Sequence, residues 1–124
     1  MTKKYSAHII AIDPIIEESV LLSVQGLTVR CFVGFCPSII EVGKTYGTEF
    51  EMVLPDELYI SKMDNEERRV EMSGDGFSCN VCGYLAGETL QSFVDFSDQG
   101  IHFDYPHLNE QFVKITAERI DVSF

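Results

Sequence analysis

The sequence predicts an all-β protein, folded as a single small antiparallel barrel or barrel-like sandwich of about eight or nine short strands. Apolar and polar residues alternate in many short segments, which is typical of half-buried strands because successive side chains leave opposite faces of a strand. Gly, Pro and Asp separate these segments, and no segment shows the apolar period of an amphipathic helix. Together these observations predict sheets without a helical layer.

Length and composition favour one globular unit. With 124 residues, the chain is predicted to form a single all-β domain over residues 1–124. Hydrophobic residues make up 45% and charged residues 23%, as in globular proteins with a packed core. This composition argues against an intrinsically disordered chain.

The clearest element is an apolar hairpin over residues 20–35. Two runs of alternating apolar residues meet at Gln25 and Gly26, and glycine readily takes the positive φ that a two-residue hairpin loop needs. A first strand is predicted before the hairpin, over residues 4–12. Another is predicted after it, over residues 46–54.

Residues 55–76 carry much of the local charge, and their pattern is less regular. We predict two strands here, over residues 58–62 and 68–72, joined by a mobile acidic loop. The alternative is a short helix over residues 57–69, in which an acidic and a basic side chain four residues apart would pair.

The second half of the chain returns to clear alternation. It predicts strands over residues 77–85, 90–96, 101–105 and 113–124. The last of these changes phase near Glu118, which indicates a β-bulge or a sharp bend. A long bent strand suits a small barrel, and the order of segments resembles that of OB-like barrels in outline, without a residue motif to support function by analogy.

Net charge suggests the kind of partner. Twenty acidic residues against nine basic ones give −11, a surface that repels polyphosphates and anionic lipid and attracts a basic protein. We therefore predict a non-catalytic acidic interaction module that binds a basic protein partner, as an inhibitor, immunity-type factor or adaptor would. The predicted partner-binding residues are the acidic side chains Asp56, Glu57, Asp64, Glu66, Glu67 and Glu71.

The alternative function is an OB-like protein that binds single-stranded nucleic acid. Small barrels do this with aromatic platforms and a basic groove, and Phe32, Tyr84 and Phe93 fall on faces opposite the apolar rows. The basic residues are few and scattered, so the electrostatic pattern argues against nucleic acid.

Four cysteines offer a candidate zinc site. Cys79 and Cys82 have the C-x-x-C spacing of a zinc knuckle, and Cys31 and Cys36 would supply the second pair. Cys31 and Cys79 are in phase with core residues, however, whereas Cys36 and Cys82 fall at turns or on the opposite face. The favoured interpretation is structural thiols, with no cofactor.

A second candidate metal site combines His102, Asp104 and His107. His102 and Asp104 would share one face of a strand, and imidazole with carboxylate suits a divalent metal. The favoured interpretation is again a solvated strand face. With no nucleophile elbow and no phosphate-binding loop, the sequence predicts that the protein is not an enzyme.

The remaining expectations concern location and assembly. The N-terminus lacks the pattern of a signal peptide, no segment is long and apolar enough to cross a membrane, and reduced cysteines suit a cytoplasmic protein. Exposed sheet edges would allow two copies to pair as a homodimer.

Overall fold

The computed structural model describes residues 3–124 and confirms the all-β prediction. Eleven strands lie within these residues, more than the predicted eight or nine. They are β1 (Tyr5–Ile12), β2 (Ser19–Val24), β3 (Leu27–Phe35), β4 (Thr45–Val53), β5 (Ile60–Lys62), β6 (Arg69–Met72), β7 (Cys79–Ala86), β8 (Thr89–Gln91), β9 (Asp95–Ser97), β10 (Phe112–Ala117) and β11 (Arg119–Ser123). Two single-turn helices, α1 (Ile101–Asp104) and a 3-10 helix (Pro106–Leu108), lie between β9 and β10.

Five strands close into a ring. The hydrogen-bonded order is β1-β2-β3-β11-β4, and β4 pairs with β1 to complete the circle. All these pairs are antiparallel except β3 with β11, which run parallel. A closed ring of five strands is, in outline, the architecture of OB-like barrels.

The other six strands form a second sheet, inserted between β4 and β11. Its order is β5-β10-β7-β8-β9, and β6 pairs with β7. The chain leaves this sheet at the end of β10 and enters the ring with β11, and Glu118 lies between the two strands. The bend predicted near Glu118 is therefore real, but the single long strand predicted there was wrong, because its two halves belong to different sheets.

The hairpin between β2 and β3 forms as predicted. Gln25 and Gly26 both have positive φ, at 49° and 78°, which is the backbone of a type I′ turn and matches the twist of the strands on either side. The inward side chains of these two strands, such as Leu22 and Val29, are fully buried.

Two other predictions need correction. Residues 90–96 form not one strand but a tight hairpin of β8 and β9, closed by the Ser92 N–H donating to the Val94 carbonyl at 3.1 Å. Residues 101–105 form α1 rather than a strand. In the segment 55–76, β5 and β6 confirm the two predicted strands, and the alternative helix was wrong.

Hydrogen bonds join the two sheets at the end of the ring where β1 begins and β4 ends. The Tyr5 hydroxyl accepts the Asp95 N–H at 2.9 Å. Gln99 Nε2 donates to the Met52 carbonyl at 2.6 Å. One buried apolar cluster includes side chains from both sheets.

Strand directions place the connections at two distinct ends of the ring. β1 is antiparallel to both β2 and β4, and β2 is antiparallel to β3, so β1 and β3 end where β2 and β4 begin. β11 runs parallel to β3 and therefore ends there too. The loops 13–18 and 36–44 and the end of β11 therefore lie together, at what we call the loop end. The β2–β3 turn and the inserted second sheet leave from the opposite end.

Candidate functional site

The predicted partner-binding residues occupy two exposed loops and one strand. Asp56 and Glu57 lie before β5, and Asp64, Glu66 and Glu67 lie between β5 and β6; all five side chains are exposed. Glu71 lies on β6 and is half-buried.

Two of these carboxylates are already neutralised within the chain. The Arg69 guanidinium donates to both Glu67 and Glu71, and Lys114 Nζ lies 3.4 Å from Glu71. Desolvation alone raises the pKa of Glu71, but the hydrogen bond and charge of Arg69, with Lys114, prevail and hold the pKa below its ordinary value. Asp56, Glu57, Asp64 and Glu66 form no salt bridge within residues 3–124, so no basic side chain described there neutralises their charge.

A cleft of about 280 Å³ lies on the outer face of the ring, where β3, β11 and β4 run side by side. We call it the acidic cleft, because Glu49 and Glu51 from β4 and Asp121 from β11 line it. In the antiparallel register, Asp121 lies directly opposite Glu51. Like charges in this position repel each other.

Arg119 offsets only part of this charge. Its Nε donates to Asp121 Oδ1 at 2.7 Å, and its guanidinium lies 4.6 Å from the centre of the Phe32 ring. Neither Glu49 nor Glu51 forms a salt bridge in the part of the chain that the structure describes. Glu49 and Glu51 leave β4 on the face opposite the buried Phe50 and Met52, as alternation along one strand requires. Asp121 comes from a strand distant in sequence, so alternation alone does not place it beside them.

A second cleft, of about 490 Å³, lies beside α1 and is lined by Asp95, Asp98 and His102 among others. Asp98 is buried at 2% exposure and lies 2.6 Å from Nδ1 of His102. It also accepts the backbone N–H groups of His102 and Gly100, at 2.9 and 3.2 Å. Burial raises the pKa of Asp98, but these hydrogen bonds prevail and lower it.

The candidate metal site of His102, Asp104 and His107, which was not the favoured interpretation of the sequence, does not form in the described residues. His102 pairs with Asp98, and Asp104 and His107 belong to different single-turn helices. Within residues 3–124, no three His, Cys, Asp or Glu side chains are arranged to hold a metal ion.

Three of the four cysteines are buried in the core, and the four do not form a metal site in the described residues. Cys31 and Cys79 are fully buried in the core, as their phase predicted, and Cys36 is half-buried at the loop end. Cys82 is also fully buried, which corrects its predicted place at a turn or on an outer face: the Ser92 hydroxyl donates to the Cys82 carbonyl where the β8–β9 hairpin covers β7.

The aromatic side chains considered for nucleic-acid binding are packed rather than free. Phe32 contacts the Phe77 ring edge-on, with centroids 5.6 Å apart, and Tyr84 packs on Phe112 at 5.2 Å. Phe93 is buried at 7% exposure.

Comparison with known proteins gives a family. A family model described as "Uncharacterised conserved protein UCP019853" matches residues 3–124. The chain belongs to this family. The match spans the ring and the inserted sheet together, so the family model covers both. No curated protein and no solved structure matches the chain.

No helix within residues 3–124 has the length and apolar character needed to cross a bilayer.

Proposed function

We propose that this protein is a non-catalytic acidic interaction module that binds a basic protein partner, in the manner of an inhibitor, immunity-type factor or adaptor. One observation carries the proposal: salt bridges within residues 3–124 engage only six of the twenty acidic residues. Most of the negative charge therefore remains available to an external cation. A field of this kind accelerates encounter with a basic protein and weakens with salt.

The setting we propose is the cytoplasm. The four cysteines are free thiols in the structure, and three of them are buried in the core. Free thiols are typical of proteins that work in a reducing compartment.

The test is affinity capture from native lysate at low salt, with and without nuclease. A basic protein that is retained after nuclease and released by salt supports the proposal. The matched variant replaces Asp56, Glu57, Asp64 and Glu66 by their amides and should retain less of that protein. Retention that is unchanged by both salt and the variant would contradict an electrostatic contact.

Single-stranded nucleic-acid binding is the second candidate, favoured by the five-stranded ring. Barrels of the OB type bind oligonucleotides across one face and its loops. The nuclease arm of the capture experiment separates the two candidates, because recovery that depends on intact nucleic acid would place this function first.

A further inference from the structure

Large apolar side chains are exposed on the loops and the strand end that lie at the loop end of the ring. Loops 13–18 and 36–44 and the end of β3 together expose five of them, which we call the apolar end: Ile15, Ile16, Phe35, Ile39 and Val42. Ile39 is 91% exposed and Ile15 is 89% exposed. Monomeric proteins rarely concentrate exposed apolar side chains in this way unless something covers them.

Hydrogen bonds hold both loops in place. Asp13 Oδ1 accepts the N–H groups of Ile15 and Ile16, at 2.8 and 2.9 Å. The Tyr46 hydroxyl accepts the Glu41 N–H at 2.9 Å. The apolar side chains are therefore presented from fixed loops, which lowers the entropy lost when a partner binds.

The surroundings of the apolar end are acidic. Two basic residues, Lys44 and Arg30, also lie in this region. Lys44 pairs with Glu41 at 2.5 Å. The pKa of Asp13 is lowered mainly by its two backbone hydrogen bonds, and the charge of Arg30 lowers it further. The acidic residues of the two loops and the adjacent start of β4 are Asp13, Glu17, Glu18, Glu41 and Glu49.

The apolar end is continuous with the acidic cleft through Phe35. This side chain is 61% exposed and lines the cleft. Its carbonyl accepts the Phe124 N–H at 2.9 Å, so the end of β11 is fixed beside it. Apolar and acidic surface thus meet along one side of the ring.

We propose that the apolar end is the docking surface for a basic, amphipathic segment of a partner protein. Apolar side chains of that segment cover Ile15, Ile39 and their neighbours, and its Lys or Arg side chains reach the surrounding carboxylates and the acidic cleft. This inference rests on the proposed function and names its contact surface, which differs from the predicted acidic loops at residues 56–71.

Charge complementarity selects this occupant over two others. In a symmetric dimer through the loop end, each acidic side chain would face the same acidic surface of the second copy, and like charges would repel. Anionic lipid would meet the same repulsion. A basic segment instead gains from both the apolar and the charged contacts.

The test uses two fluorescent synthetic peptides as probes: an alternating leucine–lysine peptide and an alternating leucine–glutamate peptide. The Ile15→Ser/Ile39→Ser double variant should fold, since both side chains are almost fully exposed. It should bind the leucine–lysine peptide about tenfold more weakly than the unmodified chain, because two apolar contacts are lost. The control is Tyr59→Ser/Phe103→Ser, which removes exposed apolar side chains elsewhere and should bind normally.

The outcomes separate the two proposals. If both double variants bind the leucine–lysine peptide equally well while the Asp56, Glu57, Asp64 and Glu66 amide variant does not, the docking surface is wrong and the proposed function stands. If the leucine–lysine peptide binds no better than the leucine–glutamate peptide, both the docking surface and the proposed function are wrong. A dimer in analytical ultracentrifugation that Ile15→Ser/Ile39→Ser dissociates would also overturn the basic segment as occupant.

Discussion

The buried carboxylate of Asp98 accepts three hydrogen bonds from the turn that follows it, one of them from Nδ1 of His102 at 2.6 Å. This arrangement fixes the single turn of α1 against the end of β9. It replaces the strand that the alternation of Ile101 and Phe103 predicted.

Replacing Asp98 should therefore destabilise the fold. Asp98→Ala leaves two backbone N–H groups and the imidazole without their acceptor, and we expect the free energy of unfolding to fall by about 2 kcal/mol. Urea denaturation measures the change. The control is Asp104→Ala, at an exposed position on α1; equal losses in the two variants would contradict a specific role for Asp98.

The same carboxylate predicts a dependence of stability on pH. Because the pKa of Asp98 is lowered in the folded state, its contribution is complete above the ordinary value of 3.8 and is lost as the pH falls through the lower folded pKa. Asp98→Asn should flatten the acid side of the stability curve. Parallel curves for the two proteins below pH 3.8 would show that Asp98 does not contribute.

Gly83 on β7 should not tolerate a side chain. A Cβ there would lie 2.5 Å from the Gln91 carbonyl oxygen and 3.0 Å from Ser92 Cα, atoms of the backbone that cannot rotate away. We expect Gly83→Ala to cost about 3 kcal/mol in thermal or chemical denaturation. Gly47→Ala is the matched strand control, because a Cβ at that position has no neighbour within 4 Å; it should change stability little.

The thiols should differ sharply in reactivity. Burial, with the nearby Cys79 thiol adding to it, strongly raises the pKa of Cys31, and burial raises the pKa of Cys79 to about 11 and also that of Cys82. A thiol reagent followed by mass spectrometry should modify Cys36 first in the native protein and all four cysteines after unfolding. Cys36→Ser should remove the fast phase; a fast phase that survives this substitution would mean that a buried thiol is accessible.

Neutralising the acidic cleft should stabilise the free protein. Glu51→Gln removes the repulsion between Glu51 and the opposite Asp121, and the free energy of unfolding should rise by about 0.5 kcal/mol at low salt. The gain should shrink as salt is added. The control Glu57→Gln alters an exposed loop carboxylate with no cross-strand partner, and a lower stability for Glu51→Gln would contradict the repulsion.

Local sequence signals predicted the parts of the fold that depend on neighbours in sequence. Gln25 and Gly26 are enough to define a hairpin turn. The alternation of apolar residues on either side of the phase change near Glu118 matches the burial of Val113, Ile115 and Ile120 in the core. The strand prediction for residues 101–105 was wrong because one helical turn is too short to show a helical period in the sequence. The residue that holds this turn, Asp98, is of a type that is common in any turn.

The candidate site was harder to predict because its parts are distant in sequence. Glu51 and Asp121 become neighbours only when β11 joins β4 across the inserted sheet. The loops that carry Ile15 and Ile39 lie at the same end only because of the order and direction of the strands in the ring. Alternation shows which way a side chain points, but it does not show which strands are adjacent.

The insertion of residues 54–118 also affects how the ring forms. β11 bonds to β3 on one side and to β4 on the other, yet the whole second sheet separates it from both in the chain. Pairing of such distant segments is slow, because the conformational entropy of closing a long loop is lost before any stabilising contact forms. The ring is therefore expected to close last, and until β11 arrives the unpaired edges of β3 and β4 are the places where a refolding chain would aggregate.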